Sequence, residues 1–141
     1  MLVEDVMETD LVTADIDGSL RDAVGAMLEH RVGSVIVTAS GNPTGIVTET
    51  DALQAGYLTE QPFDAIALER VMSDSLSTVA PTKTLRFAIQ RMAEAGVKKL
   101  PVVEDLDLVG IVTMSDVTRH YGDIVREIHD LEHRRSRADG W

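Results

Sequence analysis

The sequence predicts an α/β (α+β) protein: two copies of one strand-helix-strand-strand-helix unit, packed with pseudo-two-fold symmetry. Two observations carry this. Sliding the 141-residue chain against itself by 65 residues lays positions 4–53 on 69–118 without a gap, and 17 of those 50 positions are identical. Such a period marks a duplicated supersecondary unit. Within each copy, the apolar spacing also switches from helical to short β-branched runs. One unit of about 50 residues buries too little apolar surface to fold securely by itself, so the two copies must share a core.

The elements follow in order, with residues 1–58 as the first repeat, 59–67 as a linker, 68–122 as the second repeat and 123–141 as a C-terminal helix and basic tail. Leu20, Ala23, Val24, Met27 and Leu28 follow the i, i+3, i+4, i+7, i+8 spacing of a one-faced helix, and Leu85, Ala88, Ile89, Met92 and Ala93 repeat it. Ser19 and Thr84 stand where N-cap hydroxyls belong, and Gly96 where a left-handed C-cap belongs. The runs Val35-Ile36-Val37-Thr38 and Leu100-Pro101-Val102-Val103 read as strands, each followed by a polar turn and a second strand ending Gly-Ile-Val-Thr. Thr50-Asp51 and Ser115-Asp116 are then expected to open helices running to about Leu58 and His120. Ile124, Ile128 and Leu131 share one face, predicting a last helix over 124–135.

Composition narrows the function. With 24 Asp plus Glu against 13 Lys plus Arg, the net charge is −11, which disfavours non-specific nucleic-acid binding. A hydrophobic content of 44% is too high for general disorder. There is no Cys, hence no disulfide, thiolate nucleophile or cysteine metal site. The acidic start resembles no signal or transit peptide and no apolar run approaches the ~20 residues of a membrane span, so a cytoplasmic, membrane-free protein is expected. The few lysines and many carboxylates also fit solubility in concentrated salt.

The sharpest motif is Gly-Ile-Val-Thr-x-[Thr/Ser]-Asp, at positions 45–51 and 110–116. Hydroxyls where a strand meets a helix stand beside free backbone N–H groups and the positive end of the helix dipole, an arrangement suited to phosphate. An ionised carboxylate accepts hydrogen bonds only, which suits a ribose diol. Together these describe a nucleotide, and helix capping describes the same residues equally well.

The duplicated unit resembles a cystathionine-β-synthase (CBS) domain pair, or Bateman module. The resemblance covers about residues 2–121, on Val-Met before each first strand (Met7, Met72), the stretch Val97-Lys98-Lys99-Leu100-Pro101-Val102-Val103, and both Gly-Ile-Val-Thr-x-x-Asp motifs. It implies two clefts between the repeats, ligands of the AMP, ADP or ATP type with S-adenosylmethionine as a further possibility, no required cofactor, and a homodimeric disk signalling to an effector protein. It implies one site of Ile46, Thr48, Thr50 and Asp51 with Met72, Ser77, Lys98, Lys99 and Pro101, and another of Ile111, Thr113, Ser115 and Asp116 with Met7, Val12, Gly33, Ser34 and Ile36. Asp51 and Asp116 would hold ribose, and the apolar members the adenine ring. Ile36 stands where the family usually has proline. Lys98 and Lys99 have Gly33 and Ser34 as their counterparts in the second site, with Arg31 the only cation nearby, so the first site is expected to prefer the more highly phosphorylated ligand.

Other signals read more plainly. His129 and His133 have an i, i+4 metal-ligand spacing without a third ligand, and with His30 and Arg134-Arg135-Ser136-Arg137 they read as helix ends. Met7, Met27, Met72 and Met92 form matched pairs that read as packing residues, and Trp141 as a tail that is free or docked. No nucleophile elbow or Walker loop is present, so an enzyme is not expected. Two competing functions are a non-binding structural or interaction module, and an adaptor whose basic tail contacts nucleic acid.

Overall fold

The computed structural model describes residues 1–74 and 76–138, with side chains through Arg134. Both copies form the expected unit around a hairpin. In the first, β1 (Thr13–Asp15) pairs in parallel with β2 (Ser34–Ala39), which pairs antiparallel with β3 (Asn42–Thr48). In the second, β4 (Lys99–Glu104) and β5 (Asp107–Thr113) form the hairpin, and the first strand shrinks to one parallel bridge, Val79 to Val102. Proline explains the loss. Ile16 extends the first sheet by donating its N–H to the Thr38 carbonyl at 2.9 Å, and its counterpart Pro81 has no N–H to donate.

The long helices α2 (Leu20–His30) and α5 (Leu85–Ala95) begin and end as their residues predict. Ser19 and Thr84 accept from the Asp22 and Phe87 N–H groups, and the chain leaves through left-handed residues Arg31 (φ 55°) and Gly96 (φ 67°). The expectation for the next helices needs correction. In α3 (Glu49–Thr59) and α6 (Met114–Arg119) the N-caps are Thr48 and Thr113, while Thr50 and Ser115 sit exposed on the first turn. A hydroxyl adjacent to the aspartate cannot exchange hydrogen bonds with it across a turn; one three residues earlier can. Helix α7 (Tyr121–Ala138) starts before the expected Ile124, because the Asp123 and Ile124 N–H groups both find the His120 carbonyl. Trp141 lies outside the described residues.

The cores show how the copies join. Val3 and Val6 of the short helix α1 (Val3–Val6) are buried with Leu85, Met92, Leu100 and Val112 of the second repeat. Leu68 of α4 (Leu68–Val71) and Ile66 are buried with Leu20, Met27, Val35 and Val47 of the first. The repeats therefore exchange their entry segments. Backbone bridges pin the exchange at equivalent points: Leu2 to Thr84 and Ser19 to Ala67, then Glu8 to Ile111 and Ile46 to Ser73. Gly45 and Gly110 make the last pair possible. A Cβ on either would lie 2.7 Å from the Sδ of Met72 or Met7, and 2.8 or 3.0 Å from the carbonyl of Ser73 or Glu8.

Candidate functional site

Each strand-to-helix junction is a closed capping box. Thr48 Oγ1 accepts from the Asp51 N–H at 3.2 Å, and Asp51 Oδ2 accepts from the Thr48 N–H at 2.9 Å. Thr113 and Asp116 repeat this at 3.2 and 2.9 Å, and Thr113 also donates its hydroxyl to Asp116 Oδ2 at 3.0 Å. Capping thus occupies one oxygen of each carboxylate. Asp116 is 1% exposed, and its Oδ1 lies 3.4 Å from Arg119 Nη1, which also reaches Glu8 Oε1 at 3.5 Å.

Beside each junction lies a cavity between one repeat's motif and the other's entry segment. The first, about 270 Å³, is walled by Ile46, Thr48, Ser77, Lys98, Lys99 and Pro101 of the predicted set. Ser73, Leu76 and Val97 complete it. The second, about 350 Å³, is walled by Val12, Ser34, Ile36, Ile111, Thr113 and Asp116 of the predicted set, joined by Glu8, Asp10, Leu11, His30, Val32, Lys99 and Arg119. Thr50, Ser115, Gly33, Met7 and Met72 are not on these walls. The two methionines lie under Gly110 and Gly45 instead. Asp51 faces a separate cavity of about 280 Å³ with Gln54, Gln61 and Arg70. Six of the wall residues that sequence reasoning missed form three repeat-related pairs, Glu8 with Ser73, Leu11 with Leu76 and Val32 with Val97; the 65-residue offset applied to either member finds the other.

The cavities differ in charge, and not only through the lysine pair. Among the described residues, Lys98 and Lys99 are the only charged groups on the first wall, whereas the second carries Glu8, Asp10 and Asp116 with Lys99 and Arg119. Arg119 and Lys99, rather than Arg31, are therefore the cations of the second cavity; Arg31 is the exposed C-cap of α2. His30 is on this wall too, not simply a helix-end charge. Lys99 Nζ donates to Ser34 Oγ at 2.7 Å. Burial lowers the Lys99 pKa from its ordinary 10.5, partly countered by the nearby Glu49 carboxylate.

Elsewhere, the His129 and His133 rings stack with centroids 6.5 Å apart, and no metal-ligating cluster occurs among the described residues. No described helix is long and apolar enough to cross a membrane.

Comparison with known proteins agrees with this architecture. The CBS domain model matches residues 3–57 and 68–128. The CBS domain-containing protein YhcV of Bacillus subtilis is 33% identical over 116 residues, covering 82% of this chain and 81% of that protein. Uncharacterized protein MK0525 of Methanopyrus kandleri is 32% identical over 117 residues, covering 82% of this chain and 60% of its relative. Among solved structures, the CBS domain pair of protein MJ0100, in complex with 5′-methylthioadenosine and S-adenosyl-L-methionine, has the same fold, with a TM-score of 0.77 at 24% identity over 87% of this chain and 97% of that one. Both repeats being matched along nearly their whole lengths, the chain belongs to the CBS domain family.

Proposed function

We propose that this CBS pair, a regulatory and non-catalytic type of module, binds adenosine nucleotides of the AMP, ADP or ATP type in its two inter-repeat cavities. The observation that carries this reading is the pair of repeat-related cavities, each opening beside a Thr-x-x-Asp junction. Their volumes lie near the low end of the ~300–1,000 Å³ typical of small-molecule clefts. Ile46, Val97 and Pro101 in one, and Val32, Ile36 and Ile111 in the other, offer apolar faces to an adenine ring. Asp116 presents a carboxylate for ribose, and Lys98 with Lys99 two cations for phosphate. The binding of 5′-methylthioadenosine and S-adenosylmethionine by the MJ0100 pair supports an adenosine ligand here.

The signal passes through a homodimer and an effector protein. Supporting a dimer are Leu28 (76% exposed), Leu53 (74%) and Tyr57 (84%) on α2 and α3; the two leucines border an apolar groove between these helices. A cytoplasmic location belongs to the same reading, and the net charge of −11 supports a function without nucleic-acid contact. One observation favours the competing structural module: the capping boxes account for the repeated geometry of both motifs without a ligand.

A thermal-shift screen with AMP, ADP, ATP, NAD and S-adenosylmethionine separates the two. A ligand that binds only the folded state stabilises it by RT ln(1 + [L]/Kd), about 2.7 kcal/mol at a hundredfold excess over Kd. A rise with adenosine compounds supports the proposal; unchanged melting with all five supports the structural module.

A further inference from the structure

The hydrogen bond from Lys99 to Ser34 joins residues 65 positions apart, which is the repeat offset itself. Two copies of one position touch only where the pseudo-two-fold axis passes between them. A side chain of sufficient reach at this position can face both cavities: Lys99 lines both, and the shorter Ser34 lines the second. With lysine in each repeat, two ammonium groups would meet on the axis and repel. Lysine opposite serine replaces that repulsion with a donor and an acceptor.

The surrounding charges make this ammonium unlike its neighbours. Arg119 reaches only the second cavity, and Glu8 and Asp116 hold its guanidinium. Lys98 reaches only the first. Among the described residues Lys99 makes no ion pair, and Ser34 takes one of its three N–H donors. Two donors remain on an ammonium whose side chain lines both cavities.

We infer that Lys99 is a single cation shared by both cavities, so that a phosphate chain held in one weakens uptake of a second phosphate chain in the other. This rests on the nucleotide reading only for the identity of the ligand; the sharing itself follows from the axis position. A second polyphosphate meets a cation already engaged and the negative charge of the first ligand nearby. The two cavities thus report one phosphorylated ligand at a time, although both are built.

The test uses the full chain, 15N-labelled, titrated with inorganic tripolyphosphate. The Val97 and Val32 amides report the first and second cavities respectively. One equivalent should saturate, with a second binding at least ~tenfold more weakly. Lys99→Ser, which places serine on both sides of the axis, should weaken tripolyphosphate at both reporters by about tenfold or more. Lys98→Ser should affect the Val97 reporter alone. Ser34→Lys, which supplies a second cation, should raise the stoichiometry to two, and it keeps the test decisive if Lys99→Ser does not fold. Two equally tight equivalents in the natural protein, a Lys99→Ser effect confined to Val97, one equivalent in Ser34→Lys, or no response to tripolyphosphate would each overturn the inference. Adenosine, carrying no phosphate, should fill both cavities independently, its second equivalent binding as tightly as its first. If adenosine fails to bind while tripolyphosphate behaves as stated, the nucleotide reading fails and the shared cation stands.

Discussion

Replacing Gly45 with alanine tests the junction that joins the two repeats. The added Cβ would lie 2.7 Å from Met72 Sδ, 2.9 Å from Met72 Cγ and 2.8 Å from the Ser73 carbonyl oxygen. The methionine can swing aside, since its sulfur lies on a flexible side chain. The carbonyl cannot, because it accepts from the Ile46 N–H at 3.1 Å while the Ser73 N–H donates to the Ile46 carbonyl at 3.0 Å. Relief requires the entry segment to back away and weaken both bonds. Overpacking costs about 1–3 kcal/mol, and two weakened hydrogen bonds about 0.5 kcal/mol each, giving roughly 3 kcal/mol in all. For a chain of this size that lowers Tm by about 6–12 °C. Urea unfolding followed by far-UV circular dichroism measures it, with an unchanged m-value as the sign that only stability moved. Gly45→Ala with Met72→Ala should recover little, since the backbone contact persists. A Gly45→Ala midpoint within about 0.5 kcal/mol of the natural protein refutes the reasoning, because it would mean that the segments separate freely.

Other outcomes follow from single residues. Leu106 holds φ 73° in the second hairpin, where its counterpart Gly41 holds 82°, and it is 77% exposed; Leu106→Gly should stabilise by about 1 kcal/mol in urea unfolding. Thr113→Ala should cost about 1–2 kcal/mol, more than Thr48→Ala, because only Thr113 also donates its hydroxyl to the aspartate of its box. Lys98→Ala should weaken ATP by about 1.5–3 kcal/mol in titration calorimetry if it contacts phosphate, leaving adenosine unaffected. Because burial lowers the Lys99 pKa, the unfolded chain holds this proton more tightly. The natural protein should therefore gain stability relative to Lys99→Met as pH rises through the lowered folded value toward the unfolded 10.5, and below the folded value the difference should be constant with pH. Urea midpoints of the two proteins across that range measure it.

The sequence by itself determined everything carried by local spacing. The 65-residue duplication, the apolar faces of α2 and α5, the Ser19 and Thr84 caps and the Gly96 exit all depend on neighbours within a few residues, and the structure holds each of them. The Pro81 effect was written there too: a missing N–H is a property of one residue, and it shortens the first strand of the second repeat to a bridge. The cap positions were within reach, since Thr48-x-x-Asp51 and Thr113-x-x-Asp116 are reciprocal spacings that Thr50 and Ser115 cannot match. Only the tertiary structure decided which core receives Val3 and which receives Leu68, because the two cores are equally apolar and either would bury them. It alone showed Arg119 at the second cavity in place of Arg31, and Lys99 extending to Ser34. Local sequence contains the repeats but not the axis between them, and it is the axis that turns two lysines assigned to one site into one cation that faces both.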